Sequence, residues 1–211
     1  MDTTNIYYIN LRPEMAQFLP ENTKTVLDVG CGQGVFAENF QDKNIEMWGI
    51  EINEKEALEA LKKYTKVLIT DVTKSIPELP EKYFDAIYCN DVLEHLVDPY
   101  TFLKQIQSKL APNGVVIASI PNVRYLNNFI NFVFKKEWRY EDSGILDRTH
   151  LRFFTKKSIE RMFEEANFEI CQIRGINGYT SSWKFRLINI VTLGCIADTQ
   201  YLQFAVVAKP H

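Results

Sequence analysis

A glycine-rich turn directly after a short apolar run is the first place in this sequence where chemistry could take place. The segment VLDVGCGQG, residues 26–34, contains three glycines spaced G-x-G-x-G and one acidic residue, Asp28. Glycine allows a tight turn and lets a ligand approach backbone N–H groups closely. A dinucleotide-binding turn has the spacing G-x-G-x-x-G. Val35 stands where its third glycine would be, so this turn is of a different type.

Two acidic residues follow the next two apolar runs. Glu51 ends the run MWGIE, and Asp71 comes directly after VLIT. A carboxylate can accept two hydrogen bonds side by side, which suits the neighbouring hydroxyls of a ribose. Other roles are open at this point, because Glu51 could stabilise the start of a helix and Asp71 could cap a turn.

The combination resembles the class I S-adenosylmethionine-dependent methyltransferases, whose first motif is similar to LDVGCGQG almost letter for letter. The resemblance implies that the glycine turn wraps the methionine part of the cofactor. It also implies that Glu51 binds the ribose hydroxyls and that Asp71 meets the adenine amino group. The cofactor-binding residues expected on this basis are Asp28, Gly30, Cys31, Gly32, Glu51, Asp71, Val72 and Asn90.

A second informative stretch, YCNDVLEHLVDP at residues 88–99, ends the fourth apolar run. It is similar to quinone-biosynthesis O-methyltransferases, in which residues at this place line the space beside the sulfonium, so Asp91 and His95 are expected to contact the substrate. Asp91, Glu94 and His95 would share one face of a helical turn, as metal ligands can. Some quinone O-methyltransferases are thought to use such a set for a divalent cation. The same string resembles metal-free relatives, and we expect no bound metal.

A third stretch, GILDRTHLRFFT at residues 144–155, contains the candidate catalytic base. His150 could remove a proton from an alcohol or phenol, and Asp147 could orient its ring. Arg124 and Arg152 are candidate substrate contacts for an acceptor that carries phosphate or carboxylate. In the alternative interpretation, His150 hydrogen-bonds backbone near the next helix and the arginines belong to a mixed, solvated surface.

Strand-like and helix-like segments alternate along most of the chain, which predicts an α/β fold with a doubly wound, mostly parallel sheet. Strands are predicted at 25–29, 46–51, 66–70, 84–89, 115–120, 168–174 and 200–208, and helices at 33–41, 54–64, 99–110, 125–134 and 156–167. These seven strands match the Rossmann-like methyltransferase fold that the resemblance implies, with an antiparallel last strand.

The alternation is interrupted at residues 121–154, which are rich in aromatic and charged residues. We interpret this segment as an insertion over the mouth of the sheet, on the acceptor side. A further helix is expected within residues 177–198, between the two closing strands. The whole chain, residues 1–211, is predicted to form one domain.

Composition limits the classes of partner. The net charge is −3, apolar residues make up 46% and charged residues 24%, so nothing draws the protein to nucleic acid or to an anionic membrane. The four cysteines have no paired spacing, which argues against a zinc site and a disulfide framework. The N-terminus lacks the features of a secretory signal, and the apolar run at 187–197 is too short to span a bilayer. A cytoplasmic protein is expected.

The resemblance implies an S-adenosylmethionine-dependent methyltransferase that acts on a small-molecule acceptor, with oxygen favoured over nitrogen and carbon as the acceptor atom, and that releases S-adenosylhomocysteine. A cofactor-binding partner protein without catalysis is the alternative. A nicotinamide-dependent reductase fits less well because the third dinucleotide glycine is missing. The oligomeric state, monomer or homodimer, is left open.

Overall fold

Seven strands form one sheet in the part of the chain that the computed structural model describes, residues 11–179 and 183–211. They are β1 Thr25–Val29, β2 Glu46–Glu51, β3 Lys66–Ile69, β4 Phe84–Asn90, β5 Leu110–Pro121, β6 Phe168–Ile176 and β7 Gln203–Pro210. The order across the sheet is β3-β2-β1-β4-β5-β7-β6. The first five strands are parallel, and β7 runs antiparallel to both of its neighbours. This confirms the predicted sheet.

One α-helix precedes β1, and the other helices lie between the strands. They are α1 Pro13–Ala16, α2 Glu54–Ala60, α3 Val72–Ser75, α4 Pro99–Ile106, α5 Leu126–Phe134, α6 Lys156–Glu165 and α7 Trp183–Val191. Short 3₁₀ helices cover Val35–Phe40, Ile76–Glu78, Leu93–His95, Gln107–Lys109 and Ala197–Gln200. None of the helices in the described residues has the length and apolar character needed to cross a membrane.

Both faces of the sheet are buried, as the short apolar strands predict. Successive strand residues point to opposite faces, so Leu27 and Val29 pack in one apolar cluster and Val26 in the other. The strand order reverses between β1 and β4, because the chain builds outward from β1 to β3 and then returns to β4. In sheets of this kind, ligands bind at the carboxyl ends of the strands where the order reverses.

Side-chain caps mark the starts of α2, α4 and α6. Asn53 accepts a hydrogen bond from Lys55 N at the start of α2. Asp98 caps α4, which has a proline in its first turn, and Thr155 forms a capping box at the start of α6. Caps of this type satisfy backbone N–H groups that lack a partner within the helix.

Several predicted boundaries differ from the observed ones. The helix after the glycine turn begins at Val35, not at residue 33, because Gly34 has a φ of 73° that no helix contains. Strand β5 begins at Leu110, at the end of the helix predicted for residues 99–110, and not at the predicted residue 115. Strand β7 begins three residues later than predicted, because a 3₁₀ helix occupies residues 197–200.

The segment at 121–154 joins the sheet through a few backbone contacts. After α5, Glu141 N donates to Leu146 O at 2.9 Å and Arg148 N donates to Glu141 O at 3.0 Å, which closes a compact turn. The backbone N–H groups of Leu151 and Arg152 then both donate to the carbonyl of Glu94, at 2.9 and 3.0 Å. The end of this segment is therefore tied to the loop that follows β4.

Candidate active site

A cavity of about 1070 Å³ lies at the carboxyl ends of the central strands. One wall is the glycine turn after β1 and the tips of β2 and β3. The opposite wall comes from the loop after β4 and from residues 142–149. The lining residues that the sequence singles out are Asp28, Gly30, Cys31, Gly32, Glu51, Asp71, Val72, Asn90, Asp91, His95 and Asp147.

The glycine turn is held against β2 by backbone hydrogen bonds. Gly30 N and Cys31 N donate to Ile50 O at 2.8 and 3.1 Å. Gly30, Gly32 and Gly34 all have positive φ, at 71°, 53° and 73°. Residues with a side chain rarely adopt this conformation, so the G-x-G-x-G spacing is what allows the chain to turn here.

Glu51 is 6% exposed and joins the turn to the tip of β2. Its Oε2 accepts from Gly32 N and its Oε1 accepts from Asn53 N, both at 2.9 Å. Each carboxylate oxygen can accept a second hydrogen bond. Glu51 therefore positions the turn and still presents acceptors to the cavity.

Asp28 is buried below the turn, where Tyr64 donates a hydrogen bond to its Oδ2 at 2.6 Å. Burial raises the pKa of Asp28 to about 7, although the hydrogen bond from Tyr64 acts in the opposite direction. The removal of a carboxylate from water disfavours its charged form. Asp28 therefore exchanges its proton near neutral pH.

Asp71 caps helix α3 and also lines the cavity. Its Oδ1 accepts from the hydroxyl of Thr73 at 2.6 Å and from Thr73 N at 2.8 Å, and these bonds lower the pKa of Asp71. The capping role, one of the two interpretations of the sequence, is thus present. It uses Oδ1, and the proposed contact to adenine would use the other oxygen.

Asn90 and Asp91 lie side by side at the end of β4 but have different surroundings. Asn90 Oδ1 is buried and has no hydrogen-bond partner among the described residues. Asp91 has a φ of 54°, and its carboxylate accepts from Ser119 Oγ, Gln203 Nε2 and Arg12 Nη1. The carboxylate of Asp91 is therefore part of a hydrogen-bond network that connects the end of β4 with β5 and β7.

Arg12 is a site residue that sequence reasoning missed. It is 8% exposed, lines the cavity, and also donates from Nε to Glu14 at 2.7 Å. Its partner Asp91 is 79 residues away in the chain. A single arginine just before a helix is not part of a sequence motif or of a regular spacing. Its place in the site is therefore visible only in the structure.

Two histidines from distant segments meet beside the cavity. The ring centroids of His95 and His150 are 4.7 Å apart and the rings are nearly perpendicular, at 77°. His95 lines the cavity, and its Nδ1 lies 3.2 Å from Thr149 O. Burial and, next, the neighbouring His150 lower the pKa of His95 below its ordinary value of 6.5. His95 is therefore uncharged at neutral pH.

His150 lies behind His95 and is 4% exposed. Its Nδ1 is 2.9 Å from Ile145 O, so this carbonyl orients the ring, and the expected orienting role of Asp147 is wrong. Its Nε2 is 4.0 Å from Oε1 of Glu94, a side chain as buried as that of His150. Burial and, next, the charge of Asp91 raise the pKa of Glu94 well above its usual value.

The remaining predicted substrate residues have partners of their own. Asp147 lines the cavity, and its Oδ1 accepts from Thr149 N and Oγ1, both at 2.7 Å. Arg124 donates to Asp198 at 2.7 Å, and Arg152 donates to Val97 O at 2.6 Å. Neither arginine belongs to the cavity wall, and their predicted substrate contacts stay predictions.

The fold and this site define a class of protein first: a doubly wound α/β protein with a large cavity at the carboxyl ends of its parallel strands. Residues 7–173 match a family model described as a methyltransferase domain, and the chain belongs to this family. The protein is an enzyme, a methyltransferase that uses S-adenosylmethionine.

Individual relatives agree with this assignment. The ubiquinone biosynthesis O-methyltransferase of Aeromonas salmonicida is 25% identical over 170 residues, which cover 78% of this chain and 71% of that protein. A protein of the same name from Vibrio atlanticus is 27% identical over 190 residues, with coverages of 85% and 77%. The crystal structure of a SAM-dependent methyltransferase from Archaeoglobus fulgidus has a TM-score of 0.65 and 25% identity, with coverages of 98% and 90%.

Proposed function

We propose that the enzyme methylates a hydroxyl oxygen of a small-molecule acceptor. The observation that carries the proposal is that one cavity is lined both by the glycine turn with Glu51 and, on the opposite wall, by the imidazole of His95, whose pKa is lowered by burial. Such a cavity can place a cofactor at one end and a hydroxyl beside an imidazole at the other. The names of the two curated relatives, both O-methyltransferases, support oxygen as the acceptor atom.

We place the nucleoside of the cofactor against β2 and β3. Glu51 accepts hydrogen bonds from the two ribose hydroxyls through the lone pairs that Gly32 N and Asn53 N leave available. Asp71 accepts from the adenine amino group, and Val72 packs against the ring. The close approach of the ribose to the backbone is possible because the turn has glycines at positions 30 and 32.

We place the amino-acid part of the cofactor between the turn and β4. Asn90 Oδ1, buried and without a partner among the described residues, accepts from the ammonium group. Arg12 binds the carboxylate of the cofactor, because its guanidinium is positively charged and has five N–H donors. Asp28 and Cys31 form the floor of this end of the cavity.

The reaction needs mainly positioning, because the sulfonium of the cofactor already makes the methyl group electrophilic. Holding acceptor and cofactor in line can contribute about 7–11 kcal/mol in favourable cases. We assign His95 to the position beside the acceptor oxygen, with Asp91 and Asp147 at the edge of the acceptor space. The predicted base His150 then acts through His95, because it lies behind that ring.

An acceptor screen with a deuterated methyl donor tests this function. The purified enzyme is incubated with CD3-labelled S-adenosylmethionine and separate panels of phenols, catechols, sugar alcohols, amines and thiols. The expected result is label on oxygen in at least one hydroxyl compound, located by fragmentation in mass spectrometry. Label found only on nitrogen, sulfur or carbon would contradict the proposal.

A further inference from the structure

Positive and negative side chains line the cavity in very unequal numbers. Six of its described lining residues carry a carboxyl group, whereas Arg12 is the one lysine or arginine among them. Arg12 already donates hydrogen bonds to Asp91 and Glu14. At the end of the cavity opposite the glycine turn, the lining includes Asp142 and Asp147. We call this the acceptor end, and its charge is negative.

Asp147 is a buried carboxylate without a counter-ion. It is 7% exposed, and its Oδ1 accepts from Thr149 N and from the Thr149 hydroxyl. Its Oδ2 has no hydrogen bond, and the carboxylate forms no ion pair with a lysine or arginine, among the residues that the structure describes. Although burial acts to raise it, the hydrogen bonds from Thr149 lower the pKa of Asp147, so the group is charged at neutral pH. Buried charges in proteins are normally paired. The missing positive charge therefore points to a ligand in the cavity.

The two arginines that the sequence suggested for an anionic acceptor are bonded elsewhere. Arg124 donates to Asp198, and Arg152 donates to a backbone carbonyl. A phosphate or carboxylate group in the cavity would instead face Asp142 and Asp147, and like charges placed side by side lower affinity. The acceptor end therefore favours a cation over an anion.

We propose that the acceptor is a hydroxyl compound that also carries an ammonium group, and that Oδ2 of Asp147 binds this group. Asp142 contributes less, because it is exposed and forms an ion pair with the exposed Arg148. A neutral polyol would also donate to Oδ2, but it would leave the buried carboxylate without a counter-charge. The inference rests on the proposed O-methylation, since it names the class of compound that is methylated.

An ammonium group at Asp147 also directs the methyl group to oxygen. During transfer, the acceptor oxygen forms a bond to the methyl carbon while the carbon–sulfur bond breaks, and the electron pair of that bond stays on sulfur. The hydroxyl proton passes to the imidazole of His95, which the proposed function places beside the acceptor oxygen, and from there to solvent. A protonated nitrogen has no lone pair, so the ammonium group is not methylated. Its binding holds the hydroxyl in place for the reaction.

Three phenols of similar shape but different charge test the proposal. Tyramine carries an ammonium group, para-ethylphenol is neutral, and phloretate carries a carboxylate. Each is titrated by calorimetry into the full-length enzyme saturated with S-adenosylhomocysteine, so that no turnover occurs. We expect tyramine to bind at least about tenfold more tightly than para-ethylphenol, and phloretate to bind most weakly. Equal affinities, tighter binding of phloretate, or no measurable binding of tyramine overturns the proposal.

Variants test whether Asp147 is the group that binds the ammonium. Asp147→Asn keeps an oxygen for both hydrogen bonds from Thr149 and removes only the charge. It should weaken tyramine binding by about 10–100-fold and leave para-ethylphenol unchanged. Glu160→Gln, which alters an exposed carboxylate on α6 outside the cavity, is the matched control and should change neither. Wild-type affinity for tyramine in Asp147→Asn, or an equal loss for both phenols, overturns the assignment.

The two proposals can fail separately. The binding measurements need no methyl transfer, and S-adenosylmethionine binding verifies that each variant is folded. Label on the oxygen of neutral hydroxyl compounds alone would refute the ammonium site and leave O-methylation intact. Label found only on nitrogen, sulfur or carbon would refute the proposed function itself.

Discussion

The two halves of the cavity are built in different ways. The half that we propose for the cofactor, the turn at residues 30–34 with the tips of β1 and β2, is held by backbone hydrogen bonds and buried side chains. The half that we propose for the acceptor, residues 121–154, has an exposed stretch at 132–144 and an exposed ion pair, Arg148–Asp142. We call them the cofactor half and the acceptor half. One half is therefore preorganised by its backbone. The other is joined to the rest of the protein by hydrogen bonds to Glu94, Leu202 and Asp198, and its exposed stretch can change sequence at smaller cost.

The largest difference between the halves is expected for two glycines of the same conformation. A Cβ at Gly34 (φ 73°) would lie 2.7 Å from the Tyr64 ring, whereas a Cβ at Gly144 (φ 85°) would meet nothing within 4 Å. Gly34→Ala should cost about 3 kcal/mol or more in unfolding free energy, from backbone strain and overpacking. Gly144→Ala should cost about 1–2 kcal/mol, from strain alone.

Urea unfolding of the two glycine variants measures this contrast. Equal losses in both would mean that packing around the turn contributes nothing beyond the φ angle. A much larger loss in Gly144→Ala would reverse the comparison between the halves.

A smaller effect is expected from the pH dependence of stability. The folded state holds the pKa of Asp28 at about 7, above its ordinary value of 3.8. Between these values the folded state binds the proton that the unfolded state has lost, so Asp28 makes stability fall as pH rises toward 7. Asp28→Asn removes this dependence. The stability of the variant relative to wild type should increase by about 2–3 kcal/mol between pH 5 and pH 8, at about 1.4 kcal/mol per pH unit.

Urea unfolding at several pH values measures the pH dependence of this difference in stability. The matched control is Asp142→Asn in the acceptor half. Asp142 is exposed and forms an ion pair with the exposed Arg148, and such pairs contribute about 0–1 kcal/mol. A difference between Asp28→Asn and wild type that does not vary with pH would show that Asp28 is already ionised in the folded protein.

The smallest of the three effects concerns cofactor affinity. Glu51→Gln replaces one acceptor oxygen by a donor, which then faces Gly32 N or Asn53 N. We expect a loss of about 2 kcal/mol in S-adenosylmethionine binding, or roughly 30-fold in Kd. Calorimetry measures it, with the exposed Glu54→Gln as control. Unchanged affinity in Glu51→Gln would remove this residue from the ribose site.

Most of the cofactor half could be predicted from the sequence. The positive φ angles require glycine at three places, and the carboxylates at the strand tips follow from the parallel order of β1, β2 and β3. Helix starts were also readable, because caps such as Asn53 and Thr155 act on N–H groups two or three residues away.

Less of the acceptor half could be predicted from the sequence. The sequence pointed to His150 and to a helical face containing Asp91, Glu94 and His95. The structure has only a 3₁₀ turn at Leu93–His95 and pairs His95 with His150. The group that orients the His150 ring is the backbone carbonyl of Ile145. A contact to backbone does not depend on the residue type, so no sequence pattern indicates it.

The sequence by itself determined the alternation of strands and helices, the glycine turn and the acidic residue at the tip of β2. These features depend on steric limits and hydrogen bonds between residues close in the chain. Only the tertiary structure decided that Arg12 meets Asp91 and that His150 joins Glu94 and His95. Such pairs form where distant segments are brought together by burial of apolar surface, which is not directional. The residues themselves therefore do not specify their partners.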